Sequence, residues 1–205
     1  MTVIVDYGVG NLFSLRSSLR FIGEEAAVSR EPEELRAADR IILPGVGAFE
    51  DAARKLRELE LDKIIIELSG EGRPLLGICL GMQLLFERSF EFGVWEGLGL
   101  LPGEVRPIEP VIPPDFKVPH IGWNALRFSE AGRESGLLKY TKEGEYVYFV
   151  HSYAAMGCEE SLLADTEYGG FLTAAVGREN VFGTQFHPEK SGEAGLRILK
   201  GFCEL

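Results

Sequence analysis

The 205-residue sequence predicts an α/β protein, built as a single-domain, open and mostly parallel sheet flanked by helices, with additional antiparallel strands in its second half. Three observations carry this expectation. Over roughly the first ninety residues, apolar strand-like runs alternate with helical patterns, and the runs are apolar at successive positions, as strands covered on both faces are. Those runs end in glycine turns where a strand hands over to a helix. Beyond Gly97 the texture changes to short alternating segments punctuated by Gly and Pro, the pattern of antiparallel strands.

Residues 2–6 (TVIVD) form the first apolar run, and Gly8 and Gly10 turn the chain. Asn11 is placed to cap a helix in which Leu12, Leu15, Leu19 and Ile22 recur at helical spacing, and Gly23 ends it. A weak strand at 25–29 leads to Pro32, suited to a first helical turn in EPEELRAA. RIIL (40–43) reads as a buried strand closed by PGVG (44–47), with helical patterns to about residue 69. PLLGI (74–78) is the next buried strand and LGMQLLFER (80–88) the next helix. Strands are then expected in GEVRPI, GWNALRF, YVYFVHS, GFLTAAV and NVFGTQF, and an amphipathic helix in SGEAGLRILKGFCE (191–204). No repeat or low-complexity linker divides the chain, so residues 1–205 are expected to form one domain.

A hydrophobic fraction of 45% with 26% charged residues suits an ordinary globular chain. The net charge of −11, without a long Lys/Arg run, argues against nucleic-acid binding and leaves room for docking on a basic protein face. The start, MTVIVDYGVG, lacks the features of an export signal, and the longest apolar runs are too short to span a bilayer. Three widely spaced cysteines, Cys79, Cys158 and Cys203, fit neither a disulfide framework nor a zinc site, so a reducing cytoplasm is expected.

The segment GICLGMQ (77–83) puts Cys79 between glycines just after a buried strand. Open parallel sheets bind ligands at the carboxyl ends of their strands, and Cys79 falls at such an end. A tight strand-to-helix elbow exposes the thiol, leaves helix-terminal N–H groups unpaired, and favours the thiolate through the helix dipole. The Leu80 amide is then placed to face an oxyanion. Buried cysteine as simple space filling is the competing interpretation, which the flanking glycines Gly77 and Gly81 weaken.

A nucleophile needs a base, and only His120, His151 and His187 are present. His120 and His151 each suit a structural imidazole. His187 differs because TQFHPEKS sets Glu189 two residues on, and Pro188 biases His187 toward extended backbone, where positions i and i+2 share a side. Glu189 would then orient the ring and stabilise an imidazolium. The PGVG turn is a second source of amides at a strand's carboxyl end, although such a turn is most often only a turn. A dinucleotide site at GVG (8–10) is rejected, because Phe13 stands where the third glycine belongs.

GICLGMQ together with FHPE near the carboxyl end resembles the class I, or triad, glutamine amidotransferases, over nearly the whole chain. DYGVGN, PGVGAF, PHIGWN, YFVHSY and QFHPEKS are similar to the glutaminase branch that serves histidine biosynthesis. The resemblance implies Cys79 as nucleophile, His187 as acid/base and Glu189 as its orienting partner. It implies oxyanion amides from Leu80, Val46 and Gly47, and glutamine held by Gly47, Gln83, His151, Ser152 and Tyr153. It implies no metal or organic cofactor, and a (β/α)₈ cyclase partner met near Asn11, Pro119, Trp123, Asn124, Tyr148 and Lys190. Each has a plainer alternative: Gln83 as a solvated helix residue, Trp123 as a core aromatic, Tyr148 and Tyr153 as strand packing, Lys190 as surface charge. Rival functions are a glutaminase subunit for vitamin B6, anthranilate or folate-precursor synthesis, a silent partner-binding scaffold, and a free-standing cysteine hydrolase.

Overall fold

The computed structural model describes all residues, 1–205. Its framework is a nine-stranded sheet in the order β2-β1-β3-β4-β13-β12-β11-β8-β9. The strands are β1 (Thr2–Val5), β2 (Ala26–Ser29), β3 (Arg40–Gly45), β4 (Leu75–Cys79), β8 (His120–Phe128), β9 (Tyr146–His151), β11 (Leu162–Glu167), β12 (Phe171–Arg178) and β13 (Val181–Thr184). The five strands from β2 to β13 pair in parallel, and the remaining pairs are antiparallel. The last strand in sequence thus inserts beside β4, inside the parallel half. A second sheet, β10-β7-β5-β6, is built from β5 (Phe86–Ser89), β6 (Trp95–Glu96), β7 (Leu101–Pro107) and β10 (Tyr153–Met156).

Both faces of β1, β3, β4 and β13 are buried, as strands covered on both sides require, while the edge strand β2 is mostly half-buried. Val3, Val5, Ile41, Leu43 and Leu75 face one core, shared with α2 (Pro32–Arg36), α3 (Phe49–Glu58), α4 (Leu61–Gly70) and the second sheet. Ile4, Ile42, Leu76 and Ile78 face the other, shared with α1 (Leu12–Phe21) and α7 (Gly192–Cys203), whose Leu15, Leu19, Ile198, Leu199 and Phe202 sit at helical spacing. Asn11 caps α1 by accepting from the Ser14 N–H at 3.4 Å. No helix is long and apolar enough to cross a membrane.

The helical patterns expected after PGVG form two helices, broken at Glu60, whose φ of 55° lies in the left-handed region. One expectation about an element is corrected. The helix expected over 80–88 is only one turn, α5 (Leu80–Gln83), and Phe86–Ser89 is a strand of the second sheet. The carbonyls of Leu84 and Leu85 accept from the amides of Leu98 and Leu100, at 2.8 and 2.9 Å. Sheet partners brought from further along the chain outcompete helix continuation there. A short helix α6 (Glu130–Glu134) and the strands β6, β10 and β11 were also not anticipated from the pattern.

The elbow at Cys79 depends on close backbone approach. A Cβ on Gly77 would stand 2.6 Å from the Gly81 carbonyl oxygen, and one on Gly81 would overlap the Leu43 carbonyl of β3. Gly81→Ala should therefore lower stability by about 3 kcal/mol, or roughly 6–12 °C in melting temperature, because rigid backbone must move. The control is Gly70→Ala at the end of α4, where no atom lies within 4 Å of the added carbon. It should leave the melting temperature within a degree or two, and comparative thermal unfolding of the two variants measures both.

Candidate active site

Strand register brings the candidate residues together. β4 ends at Cys79, paired with Gly45 of β3, so the PGVG turn and the cysteine elbow lie side by side. Cys79 itself has φ 54° and ψ −112°, a strained conformation for a residue with a side chain. Tyr7 donates its hydroxyl to the Pro44 carbonyl at 2.7 Å, and Gly10 packs against the Pro44 ring, so the DYGVGN segment buttresses the turn.

On the other flank, β13 delivers the segment that carries His187 and Glu189. The His187 N–H donates to the Tyr148 carbonyl of β9 at 3.1 Å. Ser191 accepts from the Tyr148 N–H at 2.9 Å and donates to the His187 carbonyl at 2.7 Å. Pro188–Lys190 forms a 3₁₀ turn, so Glu189 comes beneath the ring by turning and not by strand alternation as the sequence suggested. The outcome is a contact of 2.9 Å between His187 Nδ1 and Glu189 Oε1, with both side chains almost wholly buried. The other carboxylate oxygen, Oε2, is buried without a hydrogen-bond partner, so the ring is the group this carboxylate serves.

A cavity of about 310 Å³ opens over this cluster. Cys79, Leu80, His187, Val46, Gly47, Gln83, His151, Ser152 and Tyr153 all line it, which gathers every sequence-predicted nucleophile, acid/base, oxyanion and glutamine-binding candidate except the carboxylate behind the ring. Pro119, expected at a partner face, lines it too. Glu91, which no local sequence pattern singles out, is a further wall residue and accepts from the Phe49 N–H at 2.5 Å. Gln83 is 6% exposed, against the reading of it as a solvated residue.

The other partner-face candidates cluster on the β8–β9 edge and at the start of α1. Trp123 is half exposed, 6.0 Å from the Tyr148 ring, and Lys190 Nζ lies 5.9 Å from that ring. Asn124 donates to the Glu167 carbonyl at 2.9 Å while its Oδ1 sits 2.8 Å from His120 Nε2. Asn11 borders the small recess behind Glu189. Cys158 and Cys203 are buried free thiols, both held protonated first of all by burial, and neither lines the cavity. No group of three or more His, Cys, Asp or Glu side chains is arranged to hold a metal ion.

The three imidazoles differ in charge for physical reasons. Burial alone would push the His187 ring down, but interaction with Cys79 and with the Glu189 carboxylate overcomes it and raises the ring to about 9. His151 is pushed down to about 4 by burial, and burial also lowers His120. His151 Nδ1 donates to the Tyr153 carbonyl at 2.8 Å, and its Nε2 lies 3.1 Å from His120 Nδ1. Burial thus disfavours charge on both of these rings, whose outer nitrogens donate to Asn124 Oδ1 and to the Tyr153 carbonyl, and the charged imidazole is the one beside the sulfur.

These shifts set a stability profile with opposite signs on its two sides. A raised His187 stabilises below the unfolded value near 6.5, and that contribution disappears as pH climbs from about 6.5 through about 9. A depressed His151 works the other way, because the unfolded chain takes up a proton that the fold refuses, so stability drops as pH falls from about 6.5 through about 4. Each effect is on the order of 3 kcal/mol. Urea unfolding at pH 5, 6.5 and 9 should show both declines. His187→Asn should flatten the alkaline one and His151→Asn the acid one.

The sequence model of the class-I glutamine amidotransferases matches residues 3–204. Over its full length the chain is 49% identical to the imidazole glycerol phosphate synthase subunit HisH of Oceanobacillus iheyensis, covering 99% of that protein. It is 50% identical to the subunit of the same name from Bacillus subtilis, with 100% of this chain and 96% of that one covered. The fold is similar to that of a crystallised glutamine amidotransferase, with a TM-score of 0.76 at 21% identity, covering 98% of this chain and 97% of that one. A chain of the PurLQS structure from Thermotoga maritima gives 0.77 at 20% identity, covering 99% and 97%. With a cysteine elbow, an imidazole and a carboxylate set around one cavity on this fold, and a family match over nearly every residue, the chain belongs to the class-I glutamine amidotransferases.

Proposed function

We propose that this chain, acting over residues 1–205 as one domain, is the glutaminase subunit of an imidazole glycerol phosphate synthase. It hydrolyses L-glutamine to glutamate and ammonia. The observation that carries this reading is the Cys79–His187–Glu189 arrangement at the cavity, in a chain about half identical throughout to two subunits of that name.

The Cys79 thiolate attacks the side-chain amide carbon of glutamine. Negative charge grows on the carbonyl oxygen, where the Leu80 amide at the start of α5 and an amide of the Val46–Gly47 turn are the donors available. Gly47, Gln83, His151, Ser152 and Tyr153 hold the rest of the substrate. His187, held charged beside the sulfur, gives its proton to the departing nitrogen, and ammonia leaves behind a glutamyl thioester. The ring, now neutral, takes a proton from water as the water attacks the thioester. Glutamate is released and the thiolate–imidazolium pair is restored. Glu189 fixes the tautomer, since its Oε1 accepts from Nδ1 and leaves Nε2 for the reaction.

Ammonia set free in water is protonated and loses its nucleophilicity, so it must pass directly to a second active site. That site belongs to a (β/α)₈ cyclase subunit in a cytoplasmic heterodimer, whose products are imidazole glycerol phosphate and aminoimidazole carboxamide ribonucleotide. Asn11, Pro119, Trp123, Asn124, Tyr148 and Lys190 lie at or near the docking face. No cofactor takes part.

Cys79→Ala is expected to reduce glutamine-dependent synthesis by the reconstituted complex at least about 10⁴-fold, while ammonia-dependent synthesis stays within two-fold. Equal loss of both would overturn the division of labour. Failure to bind the cyclase, with binding to another synthase instead, would overturn the choice of partner.

A further inference from the structure

We propose that Gln185 is a further catalytic residue, a neutral hydrogen-bond donor that holds the Cys79 sulfur as a thiolate. Gln185 sits one residue beyond the last register pair of β13 with β4, Thr184 with Ile78, which sets it beside Cys79 at the carboxyl end of the parallel sheet. It is completely buried, and its N–H is tied to the Ala174 carbonyl of β12 at 2.8 Å.

The orientation of its side-chain amide follows from its neighbours. The Tyr153 carbonyl can only accept, so Gln83, at 3.0 Å, presents its NH₂ there. That same NH₂ lies 3.0 Å from the Gln185 side chain, which must therefore turn its oxygen toward Gln83. The NH₂ of Gln185 is left facing Cys79 Sγ at 3.8 Å. A buried amide donor without an acceptor is costly, and the sulfur is the acceptor this one has.

A thiolate accepts far better than a thiol, so the contact favours the charged nucleophile. Unlike the His187 imidazolium, an amide cannot give up its proton and quench the sulfur. The donor also favours the sulfur as a leaving group, because negative charge returns to it when the thioester breaks. Tyr153 links this donor to the pocket wall, since its carbonyl accepts from Gln83 and from His151 together.

The test needs neither glutamine nor a partner, so it stands or falls separately from the proposed function. Gln185→Met removes the donor at nearly constant volume, and Gln185→Glu replaces it with a charge of the wrong sign. Alkylation of Cys79 by iodoacetamide, followed at that residue by mass spectrometry across pH, should slow about ten-fold at pH 7 in Gln185→Met and further in Gln185→Glu. The plateau rate at high pH should stay within two-fold. A folded Gln185→Met protein with the parent pH profile would overturn the assignment. In the unsubstituted protein, the Gln185 side-chain amide resonance should move with pH in step with Cys79 alkylation and stay fixed in Cys79→Ser. An amide resonance indifferent to that titration would also overturn it.

Discussion

Parallel pairing of β4 with β3 on one side and β13 on the other fixes almost everything that matters in this molecule. Those hydrogen bonds set Gly45 opposite Cys79 and carry Thr184 alongside Ile78. The turn after β3, the elbow after β4 and the segment after β13 therefore emerge at one edge. A slip of one residue in β4 would turn Cys79 to the opposite face, away from both neighbours. The small residues Gly45, Gly77 and Gly81 let the end of β3, β4 and the first turn of α5 meet at distances that a side chain would forbid.

Upon that frame the protein sorts its polar groups by charge. Near the sulfur, one carboxylate and one imidazole are buried together, and the ring's interactions with Cys79 and with that carboxylate jointly outweigh the desolvation that burial imposes. On β8 and β9, His120 and His151 are buried without a counter-charge, and burial disfavours their charged forms. Identical side chains thus take different roles from their surroundings alone. His151 braces Tyr153, whose carbonyl also positions Gln83, and Gln83 bonds Gln185 beside Cys79, so the pocket wall and the cysteine elbow share one hydrogen-bonded framework.

Rigidity at this site comes from side-chain-to-backbone bonds as much as from the sheet. Ser191 bridges Tyr148 and His187, and Tyr7 secures Pro44. Tyr148 also faces Trp123 and Lys190 on the exposed edge. The backbone that carries His187 is therefore bonded directly to β9, which bears Tyr148 of the proposed docking residues, and this gives docking a short physical route to the site.

Local chemistry in the chain determined a good deal by itself. Doubly apolar runs required strands with two covered faces, and the glycines around Cys79 marked an elbow. His-Pro-Glu announced an oriented imidazole, because each of these signals lies within a few neighbouring residues. The helix expected over 80–88 failed since Leu84 and Leu85 bond to amides beyond Gly97, which no local pattern reveals. Gln185 opens the QFHPEKS segment yet carries no local signal of its own, because its meaning lies in Gln83 and Cys79, both about a hundred residues earlier. The sequence alone thus determined which residues have reactive chemistry. Only the tertiary structure decided which of them meet, which are charged and which act as props, because distance and burial belong to the packed sheet and not to any stretch of chain.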